Sequence, residues 1–476
     1  ILVTSLFNRC TDHVDYEAIE GYQITSEIYF QQEADYDAAL VGTYDVLQWL
    51  FFNIQLGAIA SELTLCGGES ATDYIGIQQI DDMTHYPENN VLRQIWQFLY
   101  EGVNRANYME ENKANIDFEG KEAMYGEVYF LRAYYYFELV KFFGDVPLFT
   151  EARLTAGQAG TLTRTPKDEV YAQIELDLQN AIASLPNSQS QVGRVNKYTA
   201  YALLGKVLLY QDKFAEAASA LDNVIGVYSL VSDYGSQFLR FGENGPESVF
   251  EIQYSNQSNW YDWGCAHCSE GNYAIIMNGP RGWSGPEYAQ GWSFNVPTEE
   301  FYNSFEEGDS RRDATVLDIE AFAAATGASY TEGYDHTGYF NNKYIPRAGE
   351  SGGQTELNYL TNFRIIRYSD VLLMAAEAYN RGGIDDGLAQ EFLNQVRRRA
   401  FGGDDNDISA SGSALTDAIW EERKFELSLE GHRFFDLVRT GRASSLIAGF
   451  VEGKHEVFPI PQQEVDISGL TQNAGY

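Results

Sequence analysis

The chain has 476 residues, 44% of them hydrophobic and 21% charged, which is typical of a soluble globular protein whose core needs no disulfides. Acidic residues outnumber basic ones by 69 to 32, and the formal net charge is −37. Proteins that bind nucleic acids present a basic surface, so this balance argues against a nucleic-acid ligand and, more weakly, against any large polyanion.

The sequence starts with ILVTSLFNRCTDHVDYE, which is apolar up to Cys10 and acidic after it. This order is typical of the end of a bacterial lipoprotein signal peptide, in which Cys10 would carry the lipid and residues 1–9 would be removed. Asn8 and Arg9 fit such a site poorly, because small residues normally precede the cysteine. The alternative is a plain extended N-terminal segment.

A long helix is predicted within EAMYGEVYFLRAYYYFELVKFFGDVPLF. Apolar residues recur there at spacings of three and four, as one face of an α-helix requires: Met124, Val128, Leu131, Tyr135, Leu139 and Phe142. Gly144 suits the C-terminal end of the helix, and Pro147 prevents its continuation. Aromatic residues beside this stripe indicate that the helix is buried on more than one side.

Helical pairs follow. TPKDEVYAQIELDLQNAIASLP and NKYTAYALLGKVLLYQDKFAEAASALDNVIG predict a first pair, in which Gly205, Ala217 and Ala218 would let antiparallel helices approach closely. RYSDVLLMAAEAYNRGGIDDGLAQEFLNQVRRRAFGG predicts a second. Both resemble tetratricopeptide units, which bury their apolar faces by stacking on neighbouring units.

Between these pairs, from about residue 228 to residue 360, helical periodicity fades and Gly, Asn, Pro and aromatic residues dominate. Four of the seven tryptophans lie in this part: Trp260, Trp263, Trp283 and Trp292. A structureless loop of this length is improbable in a compact domain, so we interpret the segment as an irregular subdomain. By contrast, Trp49 stands in a helical context and is expected in the core.

The last predicted helix, LTDAIWEERKFELSLEGHRFFDLVRTGR, carries Glu422, Glu426 and Glu430 at a spacing of four. Like charges at this spacing repel, so basic partners are required. The candidate partners are Arg423, Arg433 or the run Arg397–Arg399. A glycoside hydrolase needs two carboxylates that flank the scissile bond, and this row is the sharpest candidate for such a pair in the sequence.

The predicted fold class is mainly α, with tetratricopeptide-like helical pairs and a large irregular, loop-rich subdomain. The predicted segments are 1–20 as a leader and tether, 21–227 and 361–476 as helical scaffold, and 228–360 as the irregular insert.

The remaining cysteines are Cys66, Cys265 and Cys268, with His267 inside the motif CAHC. A structural zinc site needs four ligands, and no second Cys/His cluster exists in the sequence. A short-range disulfide or free thiols are therefore favoured, and a bridge from Cys66 to this loop stays open. GGDDNDIS at Gly402–Ser409 departs from EF-hand spacing and is interpreted as a solvated turn. No metal or cofactor is predicted.

Several stretches, taken in order, resemble the RagB/SusD family of surface glycan-binding lipoproteins of Bacteroidetes. They are CTD at Cys10, FLRAYYYFELVKFFGDVPL, RYSDVLLMAAEAYNR, EERKFELSLEGHRFFDLVRTG and the closing FPIPQQEVDISGLTQNAGY. The resemblance implies a SusD-like scaffold of four tetratricopeptide-like pairs and a lipid-anchored position at the outer-membrane surface. It also implies oligosaccharide capture without catalysis, and delivery to a SusC-like TonB-dependent transporter.

The aromatic residues of the insert then predict a glycan site. A flat ring covers the C–H face of a pyranose, and neighbouring polar side chains pair with its hydroxyls. The predicted ligand residues of the insert are Trp260, Tyr261, Trp263, Asn278, Arg281, Trp283, Tyr288 and Trp292. Glu69 and Asp73, in SELTLCGGESATDY, are a second group, since loops near this position reach the site in the family.

Other interpretations stay open at this point. The aromatic residues could pack the insert onto the helices, and Glu69 and Asp73 could be solvated turn residues. A neutral glycan, either laminarin-type β-1,3-glucan or an α-glucan, is favoured as ligand by the many aromatics and the acidic total. The alternatives are a glycoside hydrolase acting on the same polymer and a tetratricopeptide adaptor that binds a protein segment.

Overall fold

The structure is a computed structural model that describes residues 29–155, 157–257, 263–352 and 357–476. The predicted lipidation site, Cys10, and the predicted ligand residues Trp260 and Tyr261 lie outside these ranges. The side chain of Trp263 is not described either. None of the helices within these ranges combines the length and apolar composition that a membrane-spanning segment requires.

The first half of the chain is helical, as predicted. Its helices are α1 (Glu33–Asp45), α2 (Phe51–Ile59), α3 (Ile75–Asp81), α4 (Asn90–Glu111), α5 (Lys121–Phe143), α6 (Lys167–Ser184), α7 (Lys197–Leu209) and α8 (Phe214–Leu221). Helices α4 to α8 pack on one another in sequence order as antiparallel neighbours. This stacking confirms the prediction of a tetratricopeptide-like scaffold.

Helix α5 is the centre of this scaffold and is buried on almost every side. It lies between α4 and α6 and also contacts α1. Tyr134, Tyr135 and Tyr136 point in directions about 100° apart, because a helix has 3.6 residues per turn, yet all three are buried. The helix ends at Gly144, whose φ of 72° favours glycine. The predicted burial on several sides is therefore confirmed.

The predicted close approach of α7 and α8 occurs at Gly205. A Cβ atom at this position would lie 2.5 Å from the side chain of Leu221, so any larger residue would push the two helices apart. Helix α8 in turn packs against the later helix α13 (Tyr368–Arg381). The two predicted helical pairs are thus neighbours in space, although the insert separates them in the sequence.

The insert consists of short helices and two-stranded antiparallel ribbons, two of which it forms with strands that flank it. The short helices are α9 (Ala274–Met277), α10 (Glu299–Ser304), α11 (Arg311–Thr315) and α12 (Ile319–Thr326). The strands are β1 (Thr64–Gly67), β2 (Ser248–Ile252), β3 (Arg281–Ser284), β4 (Phe294–Pro297), β5 (Val316–Asp318), β6 (Ser329–Thr331), β7 (Tyr339–Asn341) and β8 (Phe363–Arg367). The pairs β1–β4 and β2–β8 join the insert to the scaffold, while β3–β6 and β5–β7 lie within it.

The C-terminal part returns to helices. After α13 come α14 (Asp386–Phe401), α15 (Gly412–Leu427), α16 (Arg433–Arg439), α17 (Ala443–Leu446) and α18 (Gln462–Ser468). The prediction of one continuous helix through the glutamate row was wrong. Helix α15 ends at Leu427, and the chain turns through Leu429 and Gly431, which have φ angles of 65° and 89°. Glu430 therefore lies in this turn.

The glutamate row, Glu422, Glu426 and Glu430, is buried and fully neutralised by basic side chains. The partners are Arg311 and Arg397 for Glu422; Arg311, Arg367 and Arg399 for Glu426; and Lys343 and Arg367 for Glu430. The expected partners Arg397 and Arg399 are confirmed. The other two candidates pair elsewhere, Arg423 with Asp370 and Asp436, and Arg433 with Glu62.

Candidate functional site

A cluster of charged side chains forms where the loop after β1 meets the start of β3. The Nη2 of Arg281 lies 2.8 Å from the Oδ2 of Asp73, and its Nη1 lies 3.5 Å from the Oε2 of Glu69. The Nε of Arg281 donates to the backbone oxygen of Trp292 at 2.9 Å. The side chains of three predicted residues, Glu69, Asp73 and Arg281, are thus brought together at one surface, which we call the charged patch. Trp292 contributes its backbone oxygen there, while its ring packs against the hydrophobic core.

Glycines at the end of β1 make this approach possible. The N–H of Gly68 donates to the oxygen of Ser293 at 2.7 Å, which ties the loop to the chain just after Trp292. Gly67 has a φ of 73°, and a Cβ atom there would lie 2.1 Å from the same oxygen. Only glycine fits this contact, so the GG pair in the sequence sets the position of Asp73 relative to Arg281.

The predicted residues Trp283 and Tyr288 belong to a small apolar cluster within the insert. The Trp283 ring is half-buried and lies 5.9 Å from the ring of Tyr288 and 6.0 Å from that of Phe322. Tyr288 is only 5% exposed, its hydroxyl donates to the Oδ1 of Asn342 at 3.3 Å, and burial raises its pKa. Tyr288 therefore packs the insert together and is not presented to a surface ligand.

Asn278 is also inside the molecule, with 1% of its surface exposed. Its Nδ2 donates to the oxygen of Tyr344 at 3.0 Å, and its Oδ1 accepts from the Nδ2 of Asn295 at 3.2 Å. Both ends of the amide are occupied by the protein. Asn278 thus braces α9 against the following chain, and we exclude it from the direct ligand contacts.

The CAHC motif is closed by a disulfide between Cys265 and Cys268. This confirms the short-range disulfide among the alternatives. Cys66 is a free, buried thiol, so the bridge from Cys66 to this loop was wrong. The ligand atoms of Cys265, His267 and Cys268 lie within 4.8 Å of one another, but the disulfide occupies both sulfur atoms.

The closed turn places His267 on two aromatic rings of the scaffold. The His267 ring lies 4.9 Å from that of Trp49 and 5.1 Å from that of Phe98, and these two rings are 5.2 Å apart. Burial lowers the pKa of His267, so the ring is neutral at pH 7. We call Trp49, Phe98 and His267 the aromatic ledge.

The expectation that Trp49 lies in the core is confirmed, but the sequence did not single out Phe98 or place His267 against these rings. Trp49 is largely buried, and its ring also contacts that of His267 in the disulfide-closed turn. The guanidinium of Arg105 covers Trp49 at 4.7 Å from the ring centre. The regular helical context of α4 offered no local signal for this role.

Aromatic rings continue from the ledge toward the charged patch beneath the surface. Phe51 lies 4.0 Å from Tyr273 and 4.1 Å from Phe52, and Phe52 lies 5.4 Å from Tyr74, next to Asp73. Both phenylalanines start α2, so this helix is the common support of the turn that carries His267 and the loop that carries Asp73. The two surfaces are therefore held in a fixed relation to each other.

Two family models match the chain. A model described as the SusD family matches residues 246–449, and one described as starch-binding associating with outer membrane matches residues 63–209. SusD-like protein P2 of Formosa agariphila is 29% identical over 95% of this chain and 94% of its own length.

Solved structures are similar over the whole fold. A laminarin binding SusD-like protein is 37% identical with a TM-score of 0.86, over 94% of this chain and 100% of that one. Surface glycan-binding protein A from Bacteroides thetaiotaomicron, in complex with laminarihexaose, is 29% identical with a TM-score of 0.83, over 93% and 99% of the two chains. Identity at this level over a complete shared fold has one explanation, which is common descent: the chain belongs to the SusD family.

Proposed function

We propose that this protein binds a neutral glucan of the laminarin type, a β-1,3-glucan, at the cell surface without cleaving it. The observation that carries the proposal is the likeness, from end to end of the fold, to a structure whose name states that it binds laminarin. An α-glucan is the second neutral ligand to be tested, because the N-terminal family model is described as starch-binding.

The surface chemistry of the aromatic ledge and the charged patch supports a neutral ligand. The half-buried rings of Phe98 and His267 offer an apolar plane to the C–H face of a sugar ring, and the buried Trp49 supports them. In the charged patch, Arg281 is shared between Glu69 and Asp73, so the two carboxylates outnumber the single cation. An anionic glycan would be repelled there, whereas sugar hydroxyls can donate to the carboxylate oxygens.

The burial of the glutamate row supports binding without catalysis. A glycoside hydrolase needs one carboxyl group as acid and a second as base or nucleophile, on either side of the scissile bond. Glu422, Glu426 and Glu430 are all buried and ion-paired, so no sugar can reach them in this structure. The carboxylates that the sequence offers as the best candidates for catalysis are thus inaccessible to a substrate.

We further propose delivery of the glycan to a SusC-like TonB-dependent transporter and anchoring through a lipid on Cys10. Both proposals rest on membership of the family. Fractionation of cells that express the protein tests the anchor: the wild type should sediment with the outer membrane, and Cys10→Ala should not. If Cys10→Ala also sediments with the outer membrane, lipidation at this residue is contradicted.

The main experiment is titration calorimetry of the purified protein against laminarin, starch, xylan, mannan and alginate, with an assay of each mixture for new reducing ends. We expect heat of binding with laminarin and no new reducing ends. Binding to alginate alone would refute the neutral ligand, and new reducing ends would refute the absence of catalysis.

A pair of variants locates the site. Phe98→Ala removes one ring of the aromatic ledge and should weaken laminarin binding about tenfold, as the loss of a central aromatic contact does. Leu176→Ala removes a side chain that is exposed on the distant helix α6, and should leave the affinity unchanged. Equal affinities of the two variants would show that the ledge does not contact the glycan.

A further inference from the structure

A second concave surface lies beside the aromatic ledge, between α1, residues 191–194 and the end of β2. It encloses about 560 Å³, which is within the size range of ligand pockets. We call it the glutamine groove. The residues that matter here are Val41, Gln48, Gln191, Val192, Gln253 and Glu270.

The groove carries hydrogen-bonding groups that the protein leaves available. Gln48 donates from its Nε2 to the oxygen of Gln253 at 2.9 Å, and Gln191 accepts at its Oε1 from the Nε of Arg194 at 3.0 Å. Within the described part of the chain, the Oε1 of Gln48, the Nε2 of Gln191 and the carboxylate of Glu270 have no partner. The groove therefore offers both acceptors and a donor.

The charge of the groove selects against anions. Its one guanidinium, that of Arg194, lies 2.9 Å from Asp37 and 3.4 Å from Glu127, so its positive charge is already compensated. Glu270 is exposed and adds a negative charge that nothing in the groove neutralises. A neutral ligand rich in hydroxyl groups fits this combination, since a hydroxyl both donates and accepts.

Two apolar side chains flank the polar groups. Val41, on α1, is 51% exposed, and Val192, in residues 191–194, is 75% exposed; both line the groove. Such walls suit the C–H faces of a sugar, as the rings of the ledge do. Gly193, next to Val192, has a φ of 86°, and a Cβ atom there would lie 2.5 Å from the Cγ of Gln253, so glycine is required to close this wall.

The groove adjoins the aromatic ledge, because Asp45 lines the groove and pairs with Arg105, whose guanidinium covers Trp49 of the ledge. Gln48 directly precedes Trp49 of the ledge, and its backbone oxygen accepts from the hydroxyl of Tyr254 at 3.1 Å. Glu270 follows the disulfide-closed turn by two residues, and its backbone oxygen accepts from the N–H of Ser255 at 2.8 Å. A chain of sugars that lies on the ledge can thus extend into the groove.

We infer that the glutamine groove binds a further segment of the same neutral glycan chain whose other segment lies on the aromatic ledge. This inference rests on the proposed function. It predicts that affinity rises with oligosaccharide length, and that the gain depends on the groove.

The test is titration calorimetry of the full chain with laminaritriose and laminarihexaose. The variant Gln48→Ala/Gln191→Ala should lose about tenfold in affinity for the hexaose, from two hydrogen bonds, and keep its affinity for the triose. Val192→Trp fills the groove from an exposed position. It should also lose about tenfold in affinity for the hexaose, keep its affinity for the triose and fold normally. Val451→Trp, at a similarly exposed position away from the groove, is the control.

The outcomes separate the inference from the proposed function. Wild-type affinity of both groove variants for the hexaose would overturn the inference while laminarin binding stands. An equal loss for triose and hexaose would also overturn it, because the groove would then be the primary site. Absence of any laminarin binding by the wild type would remove the proposed function itself.

Discussion

The buried glutamate row allows a sharp test of its structural role. Glu426 is fully buried, and its carboxylate lies 2.7 Å from the Nη1 of Arg367, 2.7 Å from the Nη2 of Arg399 and 3.2 Å from the Nη1 of Arg311. The substitution Glu426→Gln keeps the shape of the side chain and removes its charge. Three guanidinium groups would then share a site that has lost one of its compensating carboxylates.

The expected effect follows from the cost of breaking a buried ion pair. Removing one partner destabilises a protein by about 3–5 kcal/mol, because the other charge stays buried and uncompensated. The amide oxygen retains some hydrogen bonds, so we expect about 3 kcal/mol. The unfolding entropy of a chain this long is about 1 kcal/mol/K, so the melting temperature should fall by about 3 °C.

The assay is a thermal scan of wild type and variant at pH 7, with calorimetric titration of laminarin as a check on function. Glu421→Gln is the matched control, since this neighbouring glutamate is half-exposed and pairs only with Lys424. An exposed pair contributes little, so its melting temperature should move by less than about 0.5 °C. An unchanged melting temperature of Glu426→Gln would refute the structural role.

The pH dependence gives a second measurement on the same residue. Burial alone would raise the pKa of Glu426, but the charges of Arg399, Arg367 and Arg311 hold it well below its ordinary value. A carboxyl whose pKa is lower in the folded state stabilises the fold above its unfolded pKa, and this stability is lost as the pH falls below it. The wild type should therefore lose more stability than Glu426→Gln between pH 6 and pH 3.

Three further outcomes are expected. The variant Cys265→Ser/Cys268→Ser removes the disulfide and frees the turn that holds His267. Its affinity for laminarihexaose should fall about tenfold, while its melting temperature changes little. An affinity equal to that of the wild type would contradict the role of the turn. Burial raises the pKa of Asp81 to about 7, so the fold loses stability as the pH rises from the unfolded pKa of about 4 to this value, because the unfolded chain ionises first. Relative to Asp81→Asn, the melting temperature of the wild type should fall between pH 4 and pH 7 and change no further above that. Trp283→Ala should lower the stability by about 2 kcal/mol, as expected for a half-buried ring, in a thermal scan; a loss of laminarin affinity at unchanged melting temperature would instead place this ring against the ligand.

The scaffold could be predicted from the sequence, because helical periodicity is a local property. The stripe from Met124 to Phe142, ended by Gly144, matches α5 closely. Small residues such as Gly205 marked where helices touch. The one helical error, at Glu430, arose because the turn at Leu429 has an apolar residue in a left-handed conformation, for which the sequence carries no sign.

The site could be predicted only in part. Glu69, Asp73 and Arg281 were named as two separate groups of ligand candidates, and the structure places them in contact because Gly67 and Gly68 let the two segments approach closely. Yet residue type alone could not separate the buried Asn278 and Tyr288 from exposed neighbours of the same chemistry. Whether a ring faces solvent depends on what packs over it, and that partner is a distant segment.

Local pattern thus determined the helices, their pairing and the presence of an aromatic, irregular insert. Tertiary structure alone decided which charges neutralise the glutamate row, since Arg311 comes from the insert and Arg367 from the end of β8, and neither comes from the helix that needs them. It also decided that Trp49 and Phe98 support His267. The physical reason is the same in each case: burial and charge compensation depend on distances between residues far apart in the chain, and these distances exist only after the chain has folded.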